Sequence, residues 1–293
     1  MIRIGTAEPE STFLTQGQAL ARCLARAGVA GPFEVLESPA ASIDNANRLH
    51  RGDIELGFMA ANWIGRAKRG EKPFAQPIDL ALVAPMNLGP LFFIARADSG
   101  IRTFDDLAGK RVSVGPATSG MTQHAHTILG ALGHSIDWVR PVYLSFADGA
   151  KALAAGEIDA QLQCPIPNAV MTALDAAVPL SIVTYSPAQM ERLLANVAFY
   201  ARAVMRKGEL QALGSDIDQP GVLNVLVCHA RADAGQIGEI AAVIAAEARA
   251  LGRDNALFAS LDGLIAPYRA GAASASIDGV ALHEGASRAF AAR

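Results

Sequence analysis

The chain has 293 residues, of which 51% are hydrophobic, and its formal net charge is −3. A pI of 6.1 excludes the basic surface of a nucleic-acid-binding protein, and an aromatic content of 6% argues against a platform on which bases stack. The apolar content is too high for a disordered chain, and no apolar run approaches the ~20 residues that a membrane span needs. We expect a folded protein of about two domains that does not span a membrane and does not bind nucleic acid.

The first part of the chain alternates short apolar strands with helical patterns, which is typical of α/β proteins. Apolar residues at helical spacing predict helices over Gly17–Ala27 and Ile43–Arg51, with Ser42 as the N-cap of the second helix and Gly52 as its end. The predicted strands are Ile2–Gly5, Phe33–Glu37, Leu56–Met59, Leu80–Pro85 and Leu91–Ala95.

A second unit of the same kind begins near Arg96. Thr103 is the predicted N-cap of a short helix with acidic residues in its first turn. Small residues over 270–276 predict a loop that leads into a last helical segment. The predicted strands are Lys110–Gly115, Pro141–Leu144, Ala160–Gln163, Leu180–Tyr185 and Val222–Cys228. The predicted helices are 120–132, Phe146–Ala155, Pro167–Ala176 and Gln236–Leu251.

Catalytic and metal-binding motifs are weak throughout the sequence. Gly115 and Gly120 have the spacing of a phosphate-binding loop, but Met121 occupies the position of its lysine. His124 and His126 lie two apart on a predicted helix, so their side chains point about 200° apart and cannot share a metal. We interpret both histidines as solvent-facing and expect neither a metal nor a cofactor.

Three predicted strand-to-helix junctions favour ligand binding. They carry small or hydroxyl residues at Gly5–Ala7, at Ala41–Ser42 and at Thr118–Gly120. A helix N-terminus offers unpaired N–H groups and the positive end of the helix dipole. Ordinary capping would explain any one junction. Because α/β sheets bind ligands at the carboxyl ends of parallel strands, several such junctions favour a binding protein.

One segment carries a specific family resemblance. Residues Ala95–Gly115 have the sequence ARADSGIRTFDDLAGKRVSVG and are followed by Ser119 and Gly120. A nearly identical run, A-R-x-D-S-G-I-x-x-x-x-D-L-x-G-K-R-V-x-x-G, occurs in the TAXI family of solute-binding proteins of TRAP (tripartite ATP-independent periplasmic) transporters. Matches at Leu144–Leu153 and Gly156–Ala160 extend the agreement, which runs from residue 2 to about 230. The chain therefore resembles a TAXI protein.

The resemblance implies a type II periplasmic-binding-protein fold. In this α/β fold, two lobes with mostly parallel sheets and helices on both faces are joined by a two-segment hinge and close on a small ligand. The lobes are expected at 1–94 with 223–293 and at 95–222. The implied function is a receptor that captures a small organic acid or amino acid and delivers it to a membrane permease, without catalytic residues or a cofactor. The implied location is the periplasm, although no signal-peptide pattern precedes Met1, which leaves the cytoplasm open.

Carrying the family's binding loops onto this sequence gives candidate ligand-binding residues. In the first lobe they are Thr6, Ala7, Phe13, Ser42, Asn45, Met59, Ala60 and Trp63. In the second lobe they are Thr118, Ser119, Gly120, Met121 and Pro165. The first-lobe loops have fewer glycines than the family pattern, and the expected site wall is more apolar. A monocarboxylate with a hydrophobic body, or a ligand whose amine meets Glu8, therefore suits the site better than a dicarboxylate.

Two other interpretations stay open, because a fold does not fix a function. The first is a cytosolic enzyme on the same fold, decarboxylase-like or biosynthetic, in which Glu8, Glu10, Asp44 or His50 would act as acid or base. The second is a ligand-sensing module for a partner protein, which would need an exposed apolar patch.

Overall fold

The computed structural model describes residues 1–9, 11–117, 119–163, 166–269 and 276–292. The chain forms two units, which we call unit one (Met1–Leu88 with Leu223–Arg293) and unit two (Gly89–Val222). The chain therefore passes between the units twice, after Leu88 and after Val222.

Unit one begins with alternating strands and helices. Strand β1 is parallel to both β2 and β3, and its Ile4 lies opposite Val35 and Leu56. The elements are β1 (Ile2–Gly5), α1 (Thr12–Arg26), β2 (Phe33–Leu36), α2 (Ser42–Arg51), β3 (Leu56–Ala60), α3 (Ala61–Arg69) and β4 (Leu80–Pro90), the strand that leads to the first crossing.

Unit two contains a sheet with the strand order β7-β6-β8-β5-β9. Strand β6 is parallel to β7 and β8, whereas β5 is antiparallel to β8 and β9. The elements are β5 (Phe92–Arg96), β6 (Arg111–Ser113), α4 (Gly120–Leu132), β7 (Arg140–Val142), α5 (Phe146–Ala155), β8 (Ala160–Gln163), α6 (Ala169–Ala177), β9 (Leu180–Ile182), α7 (Pro187–Asn196) and β10 (Tyr200–Met205).

Strand β11 (Ile217–His229) returns the chain to unit one. Its first half pairs antiparallel with β10, and Asn224–Val227 pair antiparallel with β3. Within the described ranges, no helix is long and apolar enough to cross a membrane. The remaining elements are α8 (Ala234–Asp254), α9 (Leu261–Arg269), β12 (Ser276–Ile277), β13 (Val280–Ala281) and α10 (Glu284–Ala291).

Side-chain alternation along the strands shows why the sheet of unit one carries helices on both faces. Leu226 packs in one buried cluster with residues of α1, α8 and α10, whereas its neighbours Val225 and Val227 pack in another with residues of α2 and α3.

The α/β class predicted from the sequence is confirmed. The sheets are mixed rather than mostly parallel, because β5 and β11, the strands next to the two crossings, run antiparallel to β8 and β3.

Helix boundaries differ from the sequence prediction where a polar cap lies outside the apolar pattern. Helix α1 begins at Thr12 rather than Gly17, because the hydroxyl of Ser11 accepts a hydrogen bond from the amide of Leu14 at 3.2 Å. The predicted capping of the short helix after Thr103 is confirmed, and Asp106 completes a capping box there. The helices α3, α7 and α9 and the strand β10 were not predicted, and residues 270–275 of the predicted loop lie outside the described residues.

The N-terminus of α2 contains a backbone conformation that alanine rarely adopts. Ala41 is the N-cap residue, with φ of 45° and ψ of −116°. The prediction that Ser42 caps this helix is wrong, because the Ser42 hydroxyl accepts a hydrogen bond from the amide of Ala60 instead. A non-glycine residue in such a region costs about 1–3 kcal/mol. The predicted end of the helix is confirmed, since Gly52 adopts the left-handed conformation with φ of 75°.

We expect Ala41→Gly to raise the free energy of unfolding by about 1 kcal/mol, since relief of strain exceeds the added entropy of the unfolded chain. The control is Ala246→Gly at an exposed position of α8, for which we expect the free energy of unfolding to fall by about 1 kcal/mol. Urea unfolding of both variants measures the effect. Equal losses in the two variants would contradict the strain at Ala41.

Candidate functional site

The carboxyl ends of β1 and β3 in unit one are joined by the buried side chain of Asn45. Its Nδ2 donates to the carbonyl oxygens of Thr6 at 2.7 Å and of Phe58 at 2.9 Å. Its Oδ1 accepts from the hydroxyl of Ser38 at 2.6 Å. Asn45 lies on α2, one turn from the start of the helix. Its three hydrogen bonds connect this helix to Thr6, Ser38 and Phe58. Its polar atoms are therefore engaged within the protein.

Thr6, Ala7 and Phe13 surround the same strand end. The amide and the hydroxyl of Thr6 both donate to the carbonyl oxygen of Leu36, at 2.9 and 2.8 Å, which joins β1 to β2. Ala7 and Phe13 are buried in the cluster of α1 and α8, and the ring of Phe13 lies 5.7 Å from that of Phe58. These candidates are brought together, and they build the edge of the sheet.

Met59, Ala60 and Trp63 lie at the junction of β3 and α3, and Ser42, at the start of α2, accepts a hydrogen bond there from the amide of Ala60. Ala60 is half-buried, whereas Met59 is fully buried in the cluster of α2 and α3. Trp63 belongs to the same cluster, where its ring packs edge-on against Phe74 at 6.2 Å. The indole of Trp63 thus contributes to the core as well as to this edge.

In unit two, Ser119, Gly120 and Met121 form the start of α4, as the sequence predicts. The Ser119 hydroxyl accepts from the amide of Thr122 at 3.3 Å. Among the described residues, the amides of Gly120 and Met121 have no acceptor, which leaves two N–H donors at the positive end of a 13-residue helix. The candidates Thr118 and Pro165 lie outside the described residues.

The structure adds polar residues that the sequence analysis did not select. Ser113 at the end of β6 and Gln161 and Gln163 on β8 are buried, with at most 1% of their surface exposed. The Ser113 hydroxyl, Gln161 Oε1 and both side-chain polar atoms of Gln163 have no hydrogen-bond partner in the described part of the chain. Glutamine is rarely buried. Two glutamines on one face of a predicted short strand were therefore the sequence signal that could have pointed to these residues.

His124 is buried, which corrects the expectation that both histidines of α4 face solvent. Only His126 is exposed. His124 Nδ1 lies 2.8 Å from the hydroxyl of Tyr200 on β10, a strand that the sequence analysis missed. Burial lowers the pKa of His124 to about 4, so the ring is neutral at physiological pH.

Three ionisable groups near the candidate residues, namely Asp44, His50 and Arg96, have partners within the protein. Asp44 accepts a hydrogen bond from the amide of Ala40 at 2.7 Å, and His50 Nε2 lies 2.7 Å from the amide nitrogen of Gln76. Arg96 pairs with Asp98 at 2.7 Å, while Glu8 is exposed and Glu10 lies outside the described residues. Across the described ranges, no group of three or more His, Cys, Asp or Glu residues is arranged to hold a metal.

Comparison with solved structures identifies the fold. The periplasmic aliphatic sulphonate-binding protein SsuA from Escherichia coli matches with a TM-score of 0.52 and 18% identity, over 91% of this chain and 75% of that chain. A second match is a structure from Streptococcus mutans that concerns glutathione import via GshT and the cystine ABC importer TcyBC. Its TM-score is 0.52 and its identity 12%, over 89% of this chain and 95% of that chain. The fold is that of the two-lobed periplasmic binding proteins, as the sequence predicts.

The sequence also places the chain in a family. Residues 4–291 match the NMT1-like family, and the protein belongs to it.

We expect Asn45→Ala to lower the free energy of unfolding by about 3 kcal/mol, because it removes three buried hydrogen bonds, to two carbonyl oxygens and from the Ser38 hydroxyl. Asn196→Ala is the matched control, since Asn196 is exposed and donates a single hydrogen bond to the carbonyl oxygen of Ala131. Denaturant unfolding should give a loss below about 1 kcal/mol for the control. Similar losses in both variants would contradict the role of Asn45.

His124 predicts a loss of stability in mild acid. Below pH 6.5 the unfolded chain binds a proton at this histidine, whereas the folded chain does not until about pH 4. The contribution of His124 to the free energy of unfolding is therefore at its maximum above pH 6.5. Between pH 6.5 and 4 it falls by up to about 1.4 kcal/mol per pH unit. Unfolding measured from pH 7 to 4.5 should show a shallower slope in His124→Gln than in wild type, and an unchanged slope in His126→Gln. Identical slopes in all three proteins would contradict the assignment.

Proposed function

We propose that the protein is the solute-binding receptor of a TRAP transporter, of the TAXI type, which captures a small organic acid or amino acid in the periplasm and delivers it to a membrane permease. The motif from Ala95 to Gly115 and the two-lobed binding-protein fold support this proposal. The candidate acid/base residues Asp44 and His50 each have a hydrogen-bond partner within the protein, which is consistent with a binding role.

The observation that carries the proposal is the start of α4. The amides of Gly120 and Met121 are unpaired among the described residues and lie beside the Ser119 hydroxyl at the carboxyl edge of parallel strands. A carboxylate is bound well at such a helix start, where N–H donors and the helix dipole act together. The candidates that resemblance places here, Ser119 to Met121, are therefore proposed as the carboxylate-binding segment.

The remaining candidates are proposed to shape the rest of the ligand site. Ala7, Phe13, Met59, Ala60 and Trp63 are apolar, and no arginine stands among them. A dicarboxylate would require a second cationic or N–H-rich group. We therefore propose a monocarboxylate with a largely uncharged body as the ligand class. Thr6, Ser42 and Asn45 fix the loops that carry this wall.

Gly120 offers a sharp test, because it occupies the first helical position after the N-cap. Proline is tolerated there, and the extended conformation of Ser119, with φ of −79° and ψ of 160°, is compatible with a following proline. Gly120→Pro thus removes one N–H donor while the helix stays intact. We expect acids that stabilise the wild type to bind Gly120→Pro at least about tenfold more weakly.

Gly120→Ala is the control, since it keeps the N–H group and should bind as the wild type does. Thermal-shift titration against monocarboxylates, dicarboxylates and amino acids provides the measurement. Equal binding by both variants, or chemical turnover of a stabilising acid, would overturn the proposed function.

A further inference from the structure

We infer that the ligand of this protein carries, besides its carboxylate, an uncharged group that both donates and accepts hydrogen bonds, such as an amide or a hydroxyl, and that Gln163 recognises this group. The inference rests on the proposed receptor function and specifies the class of ligand.

Gln163 is one of several buried residues with polar atoms that are unpaired among the described residues, and both polar atoms of its side chain are unpaired. Its side chain is fully buried, and neither Nε2 nor Oε1 has a hydrogen-bond partner among the described residues. Exchange of the two atoms by a rotation of the amide would change nothing, because one donor and one acceptor would still be unpaired. A native protein rarely keeps such a group without a reason, since each unsatisfied buried polar atom is destabilising.

The strand register sets Gln163 at the same end of the sheet as the proposed carboxylate-binding segment. Ser113 of β6 lies opposite Gln161 of β8 in a parallel pair. Strand β6 ends at Ser113, and Gly115 and Gln163 each follow this register pair by two residues, at the same end of the two parallel strands. The position of a Cβ on Gly115 would be 2.9 Å from the Ser119 hydroxyl, so this part of the chain adjoins the start of α4. Gln163 and the unpaired amides of Gly120 and Met121 thus belong to one edge of unit two.

The surroundings of Gln163 select an uncharged group. Its neighbours on the same face include Phe92, its cross-strand partner, which packs in an apolar cluster. Ser113 and Gln161 extend the polar strip, and the latter uses one atom to donate to the carbonyl oxygen of Phe146 at 3.0 Å. The strip of Ser113, Gln161 and Gln163 carries no formal charge, so a second carboxylate or an ammonium group would be buried there without a counter-ion.

The test uses three acids of equal chain length, namely pentanoate, glutaramate and glutarate. Their far ends are a methyl group, a neutral amide and a carboxylate. We expect glutaramate to bind wild type at least about tenfold more tightly than pentanoate or glutarate, as judged by thermal-shift titration and calorimetry. Gln163→Leu should abolish this preference while pentanoate still binds.

The stability of the ligand-free variants separates recognition from an ordinary structural role. Gln163→Leu removes two unpaired atoms, so we expect its midpoint temperature to rise. Gln219→Leu is the control, because Gln219 is equally buried in unit two but donates to the carbonyl oxygen of Val183 at 2.9 Å, and we expect its midpoint to fall. A fall of similar size in Gln163→Leu would show that the side chain is bonded within the protein and would overturn the inference.

The outcomes also distinguish the two proposals. Binding of pentanoate and glutaramate with equal affinity would leave the receptor function intact and overturn the role of Gln163. Absence of binding by every acid tested would overturn the receptor function, and the inference with it.

Discussion

The carboxyl edge of unit one depends on the hydrogen bonds that the side-chain amide of Asn45 makes. Three chain segments that are far apart in sequence meet at this side chain, and each contributes a hydrogen-bonding group to it. Asparagine suits the position because its amide offers two donors and an acceptor, whereas a carboxylate would face two carbonyl oxygens and repel them. The strand ends are thereby held in place, and so are the loops that begin α1, α2 and α3. The strained residue Ala41 sits in one of these loops, where the surrounding contacts fix the backbone.

The carboxyl edges of the two units differ in how many polar groups are paired within the described ranges, although unit one also has an unpaired atom, Asn62 Oδ1, at the start of α3. At the edge of unit one, Thr6, Ser38, Ser42 and Asn45 satisfy one another and the backbone. At the edge of unit two, hydroxyl, amide and backbone N–H groups of the described residues are unpaired. Hydrogen-bonding capacity that the protein does not use internally is capacity for a ligand. We therefore regard the unpaired groups at the edge of unit two as the source of polar recognition in the proposed receptor.

Local patterns predicted much of the architecture, and remote partners account for most of the errors. The predicted bounds of α5 and β8 agree with the structure: Ser145 caps the helix, Gly156 ends it, and Ala160–Gln163 is a short buried strand. Helical periodicity correctly set His124 and His126 on opposite faces. It could not show that His124 is buried, since its partner Tyr200 lies 76 residues away on an unpredicted strand. Gln163 was missed because a polar residue at the end of a strand is ordinarily a solvent-facing one. Ser42 was assigned to a helix cap, whereas a junction 18 residues later takes its hydroxyl.

Hydrogen–deuterium exchange with and without a stabilising acid tests the central claim most directly, because it reports which amides the ligand covers. The account predicts slower exchange at the first turn of α4, over residues 120–122, and at the end of β8 near Gln163. The other turns of α4 serve as the internal reference and should change less. Unchanged exchange over residues 120–122, together with protection elsewhere, such as residues 229–237 at the start of α8, would contradict the account.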